Sequence, residues 1–223
     1  ILMNCAARTC IENLMVSIVV TRGIPESGLK DLRSCKNRLM VWAIPYYSVV
    51  TDEEMKNGCE IIIANTIRIP SASVDPKIKN YSRLDFVRST LEAYESDSKH
   101  ALLLDDNGNV TEGRGWNIFS FNEGKLFSPI EGVLEGITRK TVLELAEKLN
   151  IEASLTYLSR EALESSTEVF LTSSAGGIIP VKSINGKNIG DGSPGPVTQH
   201  ISKLYWDLHE NESYVTPVKY IDC

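Results

Sequence analysis

Histidine is scarce in this chain. The three present, His100, His200 and His209, stand apart from one another, and neither an HExxH nor a paired CxxC occurs. The common zinc motifs are thereby excluded. A GxSxG nucleophile elbow and a Walker loop are also missing. Basic residues are too few for a nucleic-acid face. Lys and Arg number 23 against 29 Asp and Glu, for a formal charge of −6 and an isoelectric point of about 5.2. A phosphate-backbone binder carries the opposite sign. No apolar run approaches the roughly 18 residues of a membrane-spanning helix. The five cysteines, at 5, 10, 35, 59 and 223, are odd in number and lack framework spacing. They read as reduced, small packing residues, which points to a reducing compartment and so to the cytoplasm.

What is present is an ordinary globular composition: 223 residues, 42% apolar and 23% charged. That is enough for one large domain, or one domain and a remnant. Residues 1–12 read as a short helix and the β-branched run 14–20 as a buried strand. Residues 24–36 mix Pro, Gly and charge and read as a linker, in which Ser27-Gly28-Leu29-Lys30 matches SxxK without its companion motifs. Arg38–Ile44 is a strand, Asp52–Gly58 a polar turn, and Glu60–Ile69 a long β-branched run stopped by Pro70. Leu84, Val87, Leu91 and Tyr94 fall at helical spacing, predicting an amphipathic helix over 83–96. Strands follow at 101–104, 116–121, 125–128, 151–157, 169–172 and 178–181. Helices are expected over about 137–149, 159–165 and 196–210. The fold class is mixed α/β, and the absence of strict βαβα alternation argues against a doubly wound sheet.

Two segments are suited to an anion. Gly132 to Arg139 runs a glycine turn into a helix start, where free N–H groups and the Thr138 hydroxyl can cradle a phosphate. Thr172 to Gly177 places small and hydroxyl residues between two strands, where a ligand can approach the backbone. Lys79 lies in a Pro-containing loop, and Glu112 precedes a Gly-x-Gly, a position that ordinarily reads as exposed.

Taken in order, Lys-Asn at 79–80, Thr-Glu-Gly-Arg-Gly-Trp-Asn at 111–117, Leu-Glu-Gly-Ile-Thr-Arg at 134–139 and Ser-Ser-Ala-Gly-Gly-Ile-Ile-Pro at 173–180 resemble the class IV aminotransferases. These are the fold-type IV enzymes of pyridoxal 5′-phosphate (PLP). Within the family, Val19 to Gly23, Val74-Asp75-Pro76 and the Ala-Gly-Gly at 175–177 look most like the R-selective amine transaminases and the related branched-chain-like members. The resemblance implies transamination between an amine or amino acid and a keto acid. Lys79 would form the Schiff base with PLP and shuttle the substrate proton. Glu112 would pair with the pyridine nitrogen. Leu134 would pack on the ring, and Gly136, Ile137, Thr138, Ser173 and Ser174 would complete the cofactor site. Arg22, Ala175 and Gly176 would serve the substrate, with Arg22 as the carboxylate contact. The resemblance also implies a homodimer. It divides the chain into a remnant of a small N-terminal domain at 1–23, a linker at 24–36 and the large PLP domain at 37–223. Most of the small domain, with its phosphate-binding arginine, has no counterpart in this sequence. A lyase of the aminodeoxychorismate type and a catalytically silent truncated homologue are the alternatives.

Overall fold

The computed structural model describes residues 1–25 and 31–221, so the SxxK motif lies outside the described residues. Two compact units emerge. The first comprises Ile1–Tyr47 with the residues from Val215 onward, and the second Ser48–Tyr214.

In the first unit, the β-branched run becomes β1 (Leu14–Thr21), paired antiparallel along its whole length with β2 (Arg38–Pro45); it is not the buried strand expected, since none of its residues is buried and Ile18 and Val20 are exposed. A short helix, α1 (Leu2–Ala7), buries Ala6 and Ala7. The C-terminal segment is tied back by Ile221 N–H donating to the Ala7 carbonyl and Tyr220 O–H to that of Ile11. Because β2 bonds to β1, the division between units falls at Tyr47–Ser48 and not at residues 23 and 37. Cys5, Cys35 and Cys59 are free thiols, but Cys10 is disulfide-bonded and exposed, so the uniformly reduced reading fails there.

The second unit contains α2 (Asp52–Asn57), β3 (Cys59–Ile63), α3 (Leu84–Glu95), β4 (His100–Leu104), β5 (Val110–Gly113), β6 (Asn117–Asn122) and β7 (Lys125–Pro129). Then come α4 (Ile137–Lys148), β8 (Glu152–Thr156), α5 (Arg160–Glu164), β9 (Glu168–Ser173), β10 (Gly177–Ile184), β11 (Lys187–Asn188) and α6 (Pro196–Asp207). The strands order β5-β4-β3-β10-β9-β6-β7-β8, with β11 beside β10. The pairs β3–β4, β3–β10 and β7–β8 are parallel and the rest antiparallel, so the sheet is mixed. It curls until its ends meet: Val110 N–H donates to the Leu158 carbonyl at 2.8 Å, just past β8.

Both sheet faces are buried, which accounts for apolar runs without alternation. On β6, Ile118 packs with Leu102, Leu171 and Ile179, while its neighbour Phe119 points the other way. There Phe119 stacks on Phe170 with centroids 5.2 Å apart, under Val142 and Leu145 of α4 and Ile201 of α6. The period-2 geometry of a strand enforces this split.

Two further expectations change. Asp52–Asn57 is a helix and not a turn, because Thr51 and Glu54 form a capping box: Glu54 N–H donates to Thr51 Oγ1 and Thr51 N–H to Glu54 Oε2. The run Glu60–Ile69 leaves the sheet after Ile63, since the N–H groups of Asn65 and Thr66 donate to the Glu92 carboxylate. Helix α3 forms where periodicity places it, with its apolar stripe turned outward. Asp85, Phe86, Ser89, Thr90 and Ala93 are buried, while Leu84, Val87, Leu91 and Tyr94 are exposed.

Candidate active site

Glu112 is the organising group. It lies on β5, whose four residues are all buried, and is itself only 5% exposed, not the surface glutamate its Gly-x-Gly context suggests. The following turn is built by two glycines. A Cβ on Gly113 would stand 2.1 Å from the Trp116 ring, so only glycine lets the indole close over the strand. Gly115 has φ +90°, a left-handed conformation. The turn delivers Asn117 back to Glu112: Asn117 Nδ2 donates to Glu112 Oε2 at 3.0 Å and to the Leu134 carbonyl at 2.8 Å. Leu134 N–H donates to the same Oε2 at 3.0 Å.

The other carboxylate oxygen, Oε1, accepts from Arg68 Nη2 at 3.2 Å. Arg68 is buried, and its Nη1 lies 2.5 Å from Asp85 Oδ2. Phe86 supports it from below, its ring centroid 4.4 Å from the guanidinium carbon. Burial pushes the Glu112 carboxyl above its ordinary value, against the lowering pull of the Leu134 N–H, of Arg68 and of Lys79. The charge is thus held in a dry wall by three donors, the kind of perturbed group found at functional sites.

Around Glu112 is a cavity of about 290 Å³. Lys79, Glu112, Leu134, Gly136, Ile137, Thr138, Ser173 and Ser174 all line it, so eight of the residues singled out from sequence meet at one place. Helix α4 begins there with Gly136 as N-cap and no side-chain cap, leaving its first-turn N–H groups without intrahelical partners. A Cβ on Gly136 would meet Asn117 Oδ1 at 2.3 Å, so the close approach requires glycine. Lys79 and Lys77 separate clearly. Lys77 forms an exposed ion pair with Glu135 at 2.8 Å, whereas Lys79 lines the cavity and acts electrostatically on Glu112.

Ala175 and Gly176 lie outside the cavity lining. The Ala175 carbonyl accepts from Val49 N–H at 2.8 Å, and a Cβ on Gly176 would meet Ile179 Cδ1 at 2.9 Å and Ser48 Oγ at 3.1 Å. Arg22 belongs to the first unit and is exposed. Ser173, though lining the cavity, gives its hydroxyl to the Gly115 carbonyl at 2.9 Å and accepts from Ala175 N–H.

Sequence reasoning passed over Arg68, Arg83 and Phe86 and marked Thr172 only as the start of a ligand-approach segment; all four are at the cavity wall. The one available signal was Arg68, a charge inside a β-branched run. Two of these residues carry buried polar atoms without a hydrogen-bond partner, Arg68 Nε and Thr172 Oγ1. Such orphans are costly and point to a ligand that satisfies them. Among the described residues, no cluster of His, Cys, Asp or Glu could hold a metal ion, and no helix is long and apolar enough to cross a membrane.

The chain is similar to known proteins over most of its length. The family described as amino-transferase class IV matches residues 1–184. The branched-chain-amino-acid aminotransferase of Escherichia coli K12 is 32% identical over 180 residues, covering 78% of this chain and 58% of that protein. The branched-chain-amino-acid aminotransferase-like protein 1 of Arabidopsis thaliana is 31% identical over 208 residues, covering 92% of this chain and 37% of that protein. Among solved structures, the branched-chain amino acid aminotransferase of Thermobaculum terrenum in its PLP form superposes with a TM-score of 0.82 at 25% identity, over 92% of this chain and 68% of that one. The Thermoproteus uzoniensis branched-chain aminotransferase with norvaline gives 0.83 at 27% identity, over 92% and 69%. The chain therefore spans well under two thirds of both sequence relatives, and all four names are branched-chain ones, not those of amine transaminases.

Proposed function

The chain belongs to the class IV aminotransferase family, and on that premise we propose that its cavity holds pyridoxal 5′-phosphate for transamination between an amino acid and a keto acid. The branched-chain names of its relatives favour amino acids with an aliphatic side chain over simple amines. The residues present fit the group. An acidic partner for a pyridine nitrogen, a lysine for an aldehyde and an uncapped helix start for a phosphate share one cavity with two orphaned polar atoms. When bound, the cofactor supplies an electron sink for the substrate's α-carbon.

The protein's own groups do the rest. Lys79 Nζ would hold the cofactor through its aldehyde, and its amine is the group that would take and return the substrate's α-proton. Glu112, held by Arg68, Asn117 and the Leu134 N–H, would pair with the ring nitrogen and keep it protonated. The Thr138 hydroxyl, the first N–H groups of α4 and the Ser174 and Thr172 hydroxyls would hold the phosphate. Leu134 and Trp116 supply apolar walls that exclude water.

The family's homodimer is part of the same proposal. The outward stripe of α3, with Leu84 at 69%, Val87 at 45%, Leu91 at 54% and Tyr94 at 57% exposure, is an apolar helix face without a partner. Arg88 stands near its start and Glu95 at its end. An antiparallel second copy meets each charge with its opposite, as an isologous interface requires.

The observation that carries the function is the convergence of Lys79 and Glu112 on one cavity. Borohydride trapping of the PLP-incubated chain, followed by peptide mapping, tests it. The adduct falls on Lys79; an adduct on Lys77 alone contradicts the assignment.

A further inference from the structure

Three basic side chains line the cavity: Arg68, Lys79 and Arg83. Two of them have established work. Arg68 is neutralised by Asp85 and Glu112, and Lys79 faces the charge of Glu112. Arg83 forms no ion pair among the described residues. The carboxylates that could neutralise it are already engaged. Asp85 accepts from Arg68 and the Ile69 N–H through Oδ2 and from the Phe86 N–H through Oδ1. Glu135, also on the cavity wall, is paired with Lys77.

Arg83 is also seated. Its guanidinium carbon lies 5.4 Å from the centroid of Phe86, a ring only 6% exposed that also supports Arg68. An aromatic face beneath a guanidinium holds it while leaving its N–H fork free. The side chain is half-buried at the cavity wall, so a partner it binds is partly shielded from water.

We propose that Arg83 binds a carboxylate of the amino acid and keto acid substrates, the role expected from sequence for Arg22. The inference rests on the transamination reading of the cavity. It assigns the substrate class as acids and not neutral amines, through a two-pronged N–H to carboxylate contact.

The test is calorimetric titration of the full chain, incubated with PLP, with isovalerate and with isovaleramide, which match in shape and differ in charge. The wild type binds isovalerate at least tenfold more tightly than the amide. In Arg83→Gln, isovalerate weakens about tenfold and the amide less than twofold, the cost of one charge-assisted contact. Arg83→Lys restores part of the difference. Equal affinity of the wild type for both compounds overturns the proposal, as does an unchanged preference in Arg83→Gln or equal weakening of both. The visible absorbance of the same samples reports separately whether PLP is held on Lys79. The titration decides Arg83 whether or not that band forms, so the two readings fail independently.

Discussion

Lys79 and Glu112 show how little a residue's local sequence says about its charge environment. Lys79 is an exposed loop side chain with little packing. Lys79→Ala is therefore expected to leave the urea midpoint within experimental scatter while removing covalently held PLP. Glu112 is the opposite case. Glu112→Ala strips Arg68 of one of two partners and leaves the Leu134 N–H unsatisfied, so it destabilises by about 1–3 kcal/mol in urea unfolding as well as losing the cofactor. A third residue sets a pH dependence. His100 is buried, with Nε2 3.3 Å from Glu54 Oε1. Burial lowers its pKa, outweighing the attraction of Glu54. A base with a depressed folded value is fully stabilising above its unfolded value of about 6.5 and loses stability as pH falls through that range. The urea midpoint therefore drops between pH 7 and pH 5, and His100→Gln flattens that slope. Lys79 and Glu112 were legible as members of motifs. The burial of Glu112 was not, because it depends on Arg68, 44 positions away, which is in turn held by Asp85, 17 positions from Arg68.

At the scale of elements, periodicity located helices well without orienting them. The stripe at 84, 87, 91 and 94 predicts where α3 lies, yet it faces outward, since Phe86, Ala93 and the self-satisfied Ser89 and Thr90 pack inward, both hydroxyls bonding to the Phe86 carbonyl. Amphipathicity reveals that a helix has an apolar face, not which surface covers it. If a second copy covers this one, Leu91→Glu shifts the chain to monomer in light scattering, without loss of helical circular dichroism. A dimer persisting in that variant removes α3 from the interface. The turn before α4 makes a sharper prediction. Gly136→Ala forces Asn117 to move, since its Oδ1 lies 2.3 Å from the added methyl. Asn117 also holds Glu112, so this variant loses PLP affinity although Lys79 is unaltered.

The whole molecule supplies what no single motif contains. The sheet order sets β5 beside β4 and β6 beside β9, and its curl brings β5 near the end of β8. Segments at 68–86, 112–117, 134–138 and 172–174 thereby share one cavity. The mixed α/β class, most strands and the four motifs were readable in advance. The unit division at Tyr47–Ser48 was not, because it depends on β2 pairing backward onto β1 across the linker. A ligand that binds only the folded state stabilises the whole chain, by about 2.7 kcal/mol at a hundredfold excess over Kd. The most direct measurement is the visible absorption spectrum of the purified chain after incubation with PLP and desalting, wild type beside Lys79→Ala. A retained band in the wild type that is absent from Lys79→Ala is the predicted result. A wild type that retains no band, or a variant that retains the same one, contradicts the assignment of this cavity to PLP held by Lys79.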